Sequence, residues 1–195
     1  PAPSFPSTTV TVSTAAQLQA AVTNLVSNRT IVMNPGTYTL TDTLYLPQGL
    51  TNVAFRGSTG DRNDVVIRGA GMNGAITFGF WTKNVTNAKF AHFTIRDFHD
   101  HAFIFNGDVG NEAPHIHNVR MVDINDQFVK GTPLTAGVEG VDGGIVECST
   151  NEYTTEAPDT YTNGVDIHSG KNWIIRGNLF RNIRSSQGLA GPAVL

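Results

Sequence analysis

A weak internal repeat constrains the fold of this chain more than any other feature of its sequence. Three nine-residue segments begin at Phe90, Ile116 and Ile175, and they read FAHFTIRDF, IHNVRMVDI and IRGNLFRNI. Each has an apolar residue at its first, sixth and ninth positions and an Asp or Asn at its eighth. The first two begin 26 residues apart, and the third begins 59 residues later, which is two such periods plus a short insertion. A period of this length is typical of solenoid proteins, in which every repeat packs against its neighbours.

Each repeat consists of short apolar runs, not of segments with helical spacing. They are separated by Gly, Asn and Asp and cover residues 30–40, 44–46, 53–55, 65–67, 75–78, 90–95 and 103–105. Such a repeat is too short for a propeller blade, but it suits one turn of a coil whose strands stack about 4.8 Å apart. The sequence therefore predicts an all-β protein, a right-handed parallel β-helix, with residues 10–195 as a single domain. An immunoglobulin-like sandwich is disfavoured because it would need hairpins about every 8–12 residues.

The N-terminal region is expected to cover one end of the coil. Residues 14–27 are predicted to form a helix, because Thr14 and Gln17 have the spacing of a capping box and apolar residues recur at helical spacing. An uncovered β-helix end would pair with other chains, so this helix is expected to cap the first turn. Residues 1–9 are rich in Pro, Ser and Thr and are expected to be a flexible lead-in. The apolar C-terminus indicates a fragment of a longer β-helix.

Composition excludes several kinds of partner. The 195-residue chain has a net charge of −3 and scattered basic residues, so neither a nucleic-acid surface nor an anionic membrane surface is expected. No apolar run approaches the roughly 20 residues needed to span a bilayer. The single cysteine, Cys148, rules out an intrachain disulfide and is interpreted as a small buried residue. The start at Pro1 is interpreted as a mature N-terminus after loss of a signal peptide, which predicts a secreted or cell-surface location, extracellular or periplasmic.

The N-terminal and C-terminal stretches carry a family resemblance. The predicted helix followed by TIVMNPGTYTLTDTLYL and NVAFRGSTGDRNDVVIRGAG is similar to the opening of the pectate-lyase-like right-handed β-helix superfamily. The later stretch YTNGVDIHSGKNWIIRGNLFRNI resembles bacterial right-handed parallel β-helix repeat proteins. The resemblance implies a carbohydrate-active protein with a polysaccharide as partner. It does not fix the reaction, because this superfamily includes lyases, hydrolases and proteins with no known activity.

The repeat register predicts which residues form a site on the outside of the coil. The central residues of three comparable strands are expected to point inward; they are Phe103, Val129 and Val165. Because neighbouring residues of a strand point to opposite faces, Ile104, Lys130 and Asp166 are then outward. Lys130 and Asp166 become neighbours on adjacent turns, with His168 further along the same face. These three can serve β-elimination of a uronic polymer, in which a cation neutralises the carboxylate and a base removes the C5 proton. A cross-strand ion pair beside a polar histidine is the alternative interpretation.

Hydrolysis is the competing reaction, since paired carboxylates cleave glycosides. Asp142 is expected about one turn from Asp166 and supplies the second carboxylate of such a pair. The predicted catalytic set is therefore Lys130, Asp166, His168 and Asp142, with elimination favoured over hydrolysis. A surface or structural β-helix that binds glycan without cleaving it is the alternative function.

Four further residues are predicted to bind substrate: His99, His101, Trp173 and Lys171. The two histidines can share a face, and indole rings stack on sugars. His115 and His117 have the same spacing and are interpreted as structural polar residues, so no metal ligand is assigned.

No cofactor is firmly implied by the sequence. A zinc ion bound by His99 and His101 is one alternative, although a solvated turn is the preferred interpretation of that segment. Calcium is also considered, because Asp123, Asn125 and Asp126 supply oxygen ligands at close spacing. Asp and Asn are also common at tight corners between strands, where their side chains hydrogen-bond the backbone. The corner interpretation is therefore preferred for these three residues.

Overall fold

The computed structural model describes residues 2–133, 135, 137–159, 161–186, 191 and 193–195, with the side chain of Asp108 left aside. Short strands dominate this part of the chain. The strands are β1 (Thr8–Val12), β2 (Arg29–Met33), β3 (Gly36–Thr39), β4 (Leu44–Tyr45), β5 (Leu50–Gly57), β6 (Val65–Arg68), β7 (Phe78–Lys83), β8 (Val85–Phe98), β9 (His101–Asn106), β10 (His115–Ile124), β11 (Gln127–Thr132), β12 (Ile145–Glu147), β13 (Thr150–Glu152), β14 (Asn163–Ile167), β15 (Ile174–Arg176) and β16 (Leu179–Arg181). The helices are α1 (Ala15–Thr23) and a single 3-10 turn, Gly107–Val109. No helix in the described ranges has the length and apolar character of a membrane span.

The strands form two parallel sheets that wind around one core. Sheet A has the order β1-β2-β5-β8-β10-β12-β15, with β3, β6, β13 and β16 paired beside this path. Sheet B has the order β4-β7-β9-β11-β14. Every strand pair among the described residues is parallel, and each strand pairs with strands one turn earlier or later in the chain. The predicted parallel β-helix is confirmed.

The repeat segments stack in register, as the sequence predicts. Phe90 lies opposite Ile116, Ile116 opposite Val146, and Val146 opposite Ile175. The interval between the second and third segments therefore holds one extra turn, whose inner residue is Val146. Phe90, Ile116 and Val146 are buried, and Ile175 packs against the same core.

Phenylalanines fill the centre of the coil. The rings of Phe55 and Phe90 stack with centroids 5.4 Å apart, and those of Phe80 and Phe103 stack at 5.5 Å. The two stacks meet edge to face, with 4.9 Å between the centroids of Phe80 and Phe90. All four rings are fully buried. Each therefore stabilises the fold by close to the full amount expected for burial of a large aromatic side chain.

The Asp and Asn residues at the eighth repeat position form corners of the coil. Asp97, Asp123 and Asn182 have positive φ angles of 66°, 53° and 56°, a conformation that Asp and Asn tolerate better than other non-glycine residues. Asp123 also accepts hydrogen bonds from the backbone and side chain of Thr154 and from Arg96. Its carboxylate is thus occupied by protein donors, in keeping with the corner interpretation.

The N-terminal helix packs on the first turn of the coil, as predicted, but it is shorter than expected. Thr14 Oγ1 accepts from Gln17 N, while Gln17 Oε1 accepts from Ser13 N, so the capping box closes one residue earlier than the spacing indicates. The helix ends at Thr23, not at residue 27: the Asn24 side chain donates to the Ala20 carbonyl, and the Leu25 N–H bonds the Val22 carbonyl three residues back, which tightens the last turn. α1 contacts β1, β2, β3 and β4.

Three other details differ from the sequence predictions. The strand β1 begins at Thr8, inside the range assigned to a lead-in, and Lys89 Nζ donates to Ser4 O just before it. The apolar run at 75–78 joins a strand only at Phe78, because Gly71 and Gly74 form a turn before it. Cys148 is exposed rather than buried, since it occupies a corner with a φ of 53° and points away from the core.

Candidate active site on the outer face of sheet B

The register between β11 and β14 places Lys130 beside Asp166. Val129 lies opposite Val165 inside the coil, and Lys130 lies opposite Asp166 on the next position. Because neighbouring strand residues alternate between faces, Lys130 and Asp166 both point outward from sheet B. The predicted placement of this pair is confirmed.

Four side chains converge at this point, and we call them the Lys130 cluster: Lys130, Tyr161, Asp166 and His168. Lys130 Nζ lies 2.5 Å from Asp166 Oδ2 and donates to the Tyr161 hydroxyl oxygen at 3.2 Å. The Tyr161 hydroxyl in turn donates to Asp166 Oδ2 at 2.9 Å. His168 Nε2 lies 3.3 Å from Lys130 Nζ and 2.9 Å from Asp166 Oδ1. The cluster therefore contains an ammonium, a phenol, a carboxylate and an imidazole in mutual contact.

Exposure divides the Lys130 cluster into two layers. Asp166 is fully buried, and only 10% of the Lys130 side chain is exposed. In contrast, Tyr161 is 47% exposed and the His168 side chain is 46% exposed. Asp166 Oδ1 receives no hydrogen bond despite the nearby imidazole, because His168 Nε2 approaches it outside the donor angle. Tyr161 and His168 are thus the members that a ligand on the outer face of sheet B reaches directly.

Sequence reasoning missed Tyr161. Tyr161 precedes Asp166 by five residues, at the end of the loop that leads into β14. Two interactions hold it in place. Gln127 Nε2 donates to its carbonyl oxygen at 2.7 Å, and Lys130 Nζ lies 5.1 Å from the centre of its ring. An aromatic residue shortly before an outward acidic residue was the available signal.

Aromatic residues extend the same outward row toward the N-terminal end of the coil. Tyr45 lies opposite Trp81, Trp81 opposite Ile104, and Ile104 opposite Lys130. We call Tyr45, Trp81, Ile104, Lys130 and Asp166 the outer row. Tyr45 is exposed, and its ring meets that of Trp81 edge to face at 5.6 Å. Two strand spacings, about 10 Å, separate Trp81 from Lys130.

The two histidines predicted to bind substrate have different environments. His101 is buried, stacks on Phe78 at 5.5 Å, and lies within electrostatic range of Lys130 and Asp166. Burial lowers its pKa to about 4, so its imidazole is neutral at neutral pH. His99 is exposed at the bend before β9, and its Nδ1 lies 2.5 Å from Asp100 Oδ1. Of the two, only His101 lies beside the Lys130 cluster.

The remaining predicted site residues lie outside this cluster. Asp142 precedes β12 of sheet A, and its Oδ1 accepts from the backbone N–H of Lys171 at 2.7 Å. The pair of Asp142 with Asp166 is therefore not formed, because the two residues belong to different sheets and have different partners.

The Lys171 side chain reaches Glu139 at 2.6 Å in solvent. Trp173 donates its indole N–H to Val141 O and packs against the core, so its ring is not a free platform for a sugar.

The carboxyl group of Asp126 gives a pH-dependent prediction for stability. Burial, together with the charges of Asp100 and Asp159, raises the pKa of Asp126 to about 7, compared with about 3.9 in an unfolded chain. Between about pH 4 and 7 the folded protein therefore keeps a proton that the unfolded chain has released, and stability is lost as the pH rises through this window. Asp126→Asn should raise the free energy of unfolding by about 1–3 kcal/mol at pH ~8 and leave it unchanged at pH ~4.

Urea unfolding of wild type and variant at the two pH values checks this expectation. Asp64→Asn, at an exposed aspartate, is the matched control and should have little effect at either pH. A gain from Asp126→Asn of equal size at both pH values would contradict the electrostatic explanation.

Comparison with known proteins supports the fold. No family model matches the chain, and no curated protein matches it either. Among solved structures, an alginate lyase from Paenibacillus sp. str. FPU-7 is similar, with a TM-score of 0.57 at 14% identity, over 95% of this chain and 71% of that one. The PL6 family alginate lyase AlyGC is matched with a TM-score of 0.37 at 13% identity, over 96% of this chain and 31% of that one. At 14% identity the likeness to the Paenibacillus lyase shows a shared parallel β-helix fold alone.

Proposed function

We propose that the protein is a polysaccharide lyase that cleaves a uronic-acid polymer by β-elimination at the Lys130 cluster. The observation that carries the proposal is the convergence of a phenol, a carboxylate and an imidazole within 3.3 Å of Lys130 Nζ, on an outer sheet of a β-helix. The alginate lyase of similar fold gives independent support for a lyase reaction.

β-Elimination requires three chemical contributions from the protein. A positive charge must neutralise the uronate carboxylate, because the C5 proton is otherwise too weakly acidic to remove. A base must accept that proton, and an acid must protonate the leaving oxygen as the C4–O bond breaks and the C4–C5 double bond forms. Lys130 contributes the positive charge in this proposal, and its contact with Asp166 fixes its position.

The exposed members of the Lys130 cluster carry the proton transfers. His168 Nε2 accepts the C5 proton, and Asp166 Oδ1, at 2.9 Å, stabilises the imidazolium that results. The Tyr161 hydroxyl donates a proton to the leaving oxygen, since Tyr161 is 47% exposed and its hydroxyl contacts Lys130 Nζ. Both groups return to their starting states by exchange with solvent, so the reaction consumes no co-reactant.

The outer row supports a polymer as the substrate. Trp81 and Tyr45 present aromatic surface about two and three strand spacings from Lys130, where further sugar rings of an extended chain would stack. Glycan binding without cleavage is the second candidate function, because this aromatic pair favours carbohydrate binding whatever the chemistry at Lys130. Hydrolysis has less support, since Asp142 is not available as a second carboxylate. A polymeric substrate also favours action outside the cytoplasm.

An absorbance assay tests the proposal. The protein is incubated with polymannuronate, polyguluronate, polygalacturonate and a neutral glucan, and the ultraviolet absorbance of the unsaturated product is followed. We expect absorbance to rise with at least one uronate polymer and to stay flat with the glucan. Flat traces throughout, with glycan binding in affinity electrophoresis that Trp81→Ala abolishes, would contradict the lyase and select the binding module.

A further inference from the structure

A group of three polar side chains lies on the outer face of sheet A, away from the Lys130 cluster. His115 and His117 flank the inward Ile116 on β10, so both point outward. On the next turn, Glu147 of β12 lies opposite His117. In the described part of the chain, this is the group of His, Cys, Asp and Glu side chains whose ligand atoms are close enough to share one ion.

The distances within this group match the edges of a metal coordination shell. His115 Nε2 lies 2.9 Å from Glu147 Oε1, and His117 Nδ1 lies 3.2 Å from the same oxygen. All three ligand atoms lie within 4.8 Å of one another. Ligands bound to zinc at about 2.0–2.2 Å are about 3.0–3.5 Å apart, and the two distances to Glu147 Oε1 lie close to that separation.

A fourth residue holds the carboxylate in the orientation that a ligand needs. Arg176 donates from Nε at 2.8 Å and from Nη2 at 2.7 Å, and both bonds go to Glu147 Oε2. This leaves Oε1 facing the two imidazoles. Outer residues that orient a ligating carboxylate in this way are characteristic of metal sites.

We propose that His115, His117 and Glu147 bind a divalent transition-metal ion, with Zn²⁺ as the ion of best fit. Two imidazoles and one carboxylate suit zinc and its neighbours, whereas calcium and magnesium prefer oxygen ligands alone. The three residues are mostly buried, with side-chain exposures of 14%, 13% and 3%. Water would fill the remaining coordination positions of the ion. The site lies on a different sheet from Lys130, so it is independent of the proposed lyase reaction.

Isothermal titration with Zn²⁺ tests the proposal on the whole chain, prepared without a polyhistidine tag and treated with chelator. We expect one zinc ion per chain and a weakening of at least about 100-fold in His117→Gln and in His115→Gln. His99→Gln removes an exposed histidine outside the group and should bind zinc like wild type. Titration with Co²⁺ should give visible absorption bands that both ligand variants lose.

Thermal unfolding separates loss of the site from loss of the fold. Zinc should raise the unfolding temperature of wild type and of His99→Gln but not of the two ligand variants, whose metal-free unfolding temperatures should lie near that of wild type. Failure of wild type to bind zinc at micromolar concentration would overturn the proposal. Equal zinc binding by wild type and by both ligand variants would overturn it as well.

Discussion

Lys130→Met is expected to lower the rate of elimination by about 10²–10⁴-fold on the uronate polymer that the protein cleaves. The substitution keeps the length of the side chain but removes the positive charge that neutralises the substrate carboxylate. Initial rates of product absorbance measure the effect. Lys89→Met is the matched control, because Lys89 lies on sheet A and contacts Ser4 and Asn52, so it should keep wild-type activity.

Stability must be followed in the same variant. Removing Lys130 leaves the buried Asp166 carboxylate with Tyr161 and His168 as its partners, and breaking a buried ion pair costs about 3–5 kcal/mol. His168→Gln provides an activity test without this cost, since its side chain is 46% exposed. We expect His168→Gln to lose activity while its urea unfolding midpoint stays near that of wild type. Full activity in folded Lys130→Met would remove Lys130 from the reaction.

Phe90→Ala is expected to lower the free energy of unfolding by about 3–5 kcal/mol. Phe90 touches both ring stacks, with 5.4 Å between its centroid and that of Phe55 and 4.9 Å to those of Phe80 and Phe103. Its removal opens a cavity that the stacked strands cannot close without losing their register. Urea unfolding followed by circular dichroism measures the loss.

Tyr45→Ala is the control for the loss of an aromatic ring in a strand. Tyr45 is 49% exposed on the outer row, so its removal should cost less than about 1 kcal/mol. Equal losses from Phe90→Ala and Tyr45→Ala would contradict the assignment of the phenylalanine stacks as the source of stability.

The inner columns and the outward pair were predictable because both follow from one register. Apolar residues recur at the same positions of successive turns, and this recurrence places Phe90 over Ile116. Once Val129 and Val165 are paired inside, alternation places Lys130 and Asp166 together outside. Each step uses only the period of the repeat and the two-residue period of a strand.

The loops between turns were not predictable in the same way, because their lengths differ. Tyr161 reaches the Lys130 cluster from the loop before β14, and no periodicity fixes where a loop residue points. The same reason explains why the expected pairing of Asp142 with Asp166 is not formed: Asp142 lies before β12, outside the repeated strands, and its side chain accepts from the Lys171 backbone. The His115, His117 and Glu147 group was missed as a unit because Glu147 belongs to the extra turn, which the repeat alignment skipped over.

Product analysis in water labelled with heavy oxygen tests the central claim most directly. Wild-type protein digests its uronate polymer in labelled water, and mass spectrometry then reads the new chain ends. β-Elimination at the Lys130 cluster predicts unsaturated ends that carry no label, because no water enters the products. New non-reducing ends that are saturated, with no unsaturated ends formed, would show hydrolysis and contradict the account.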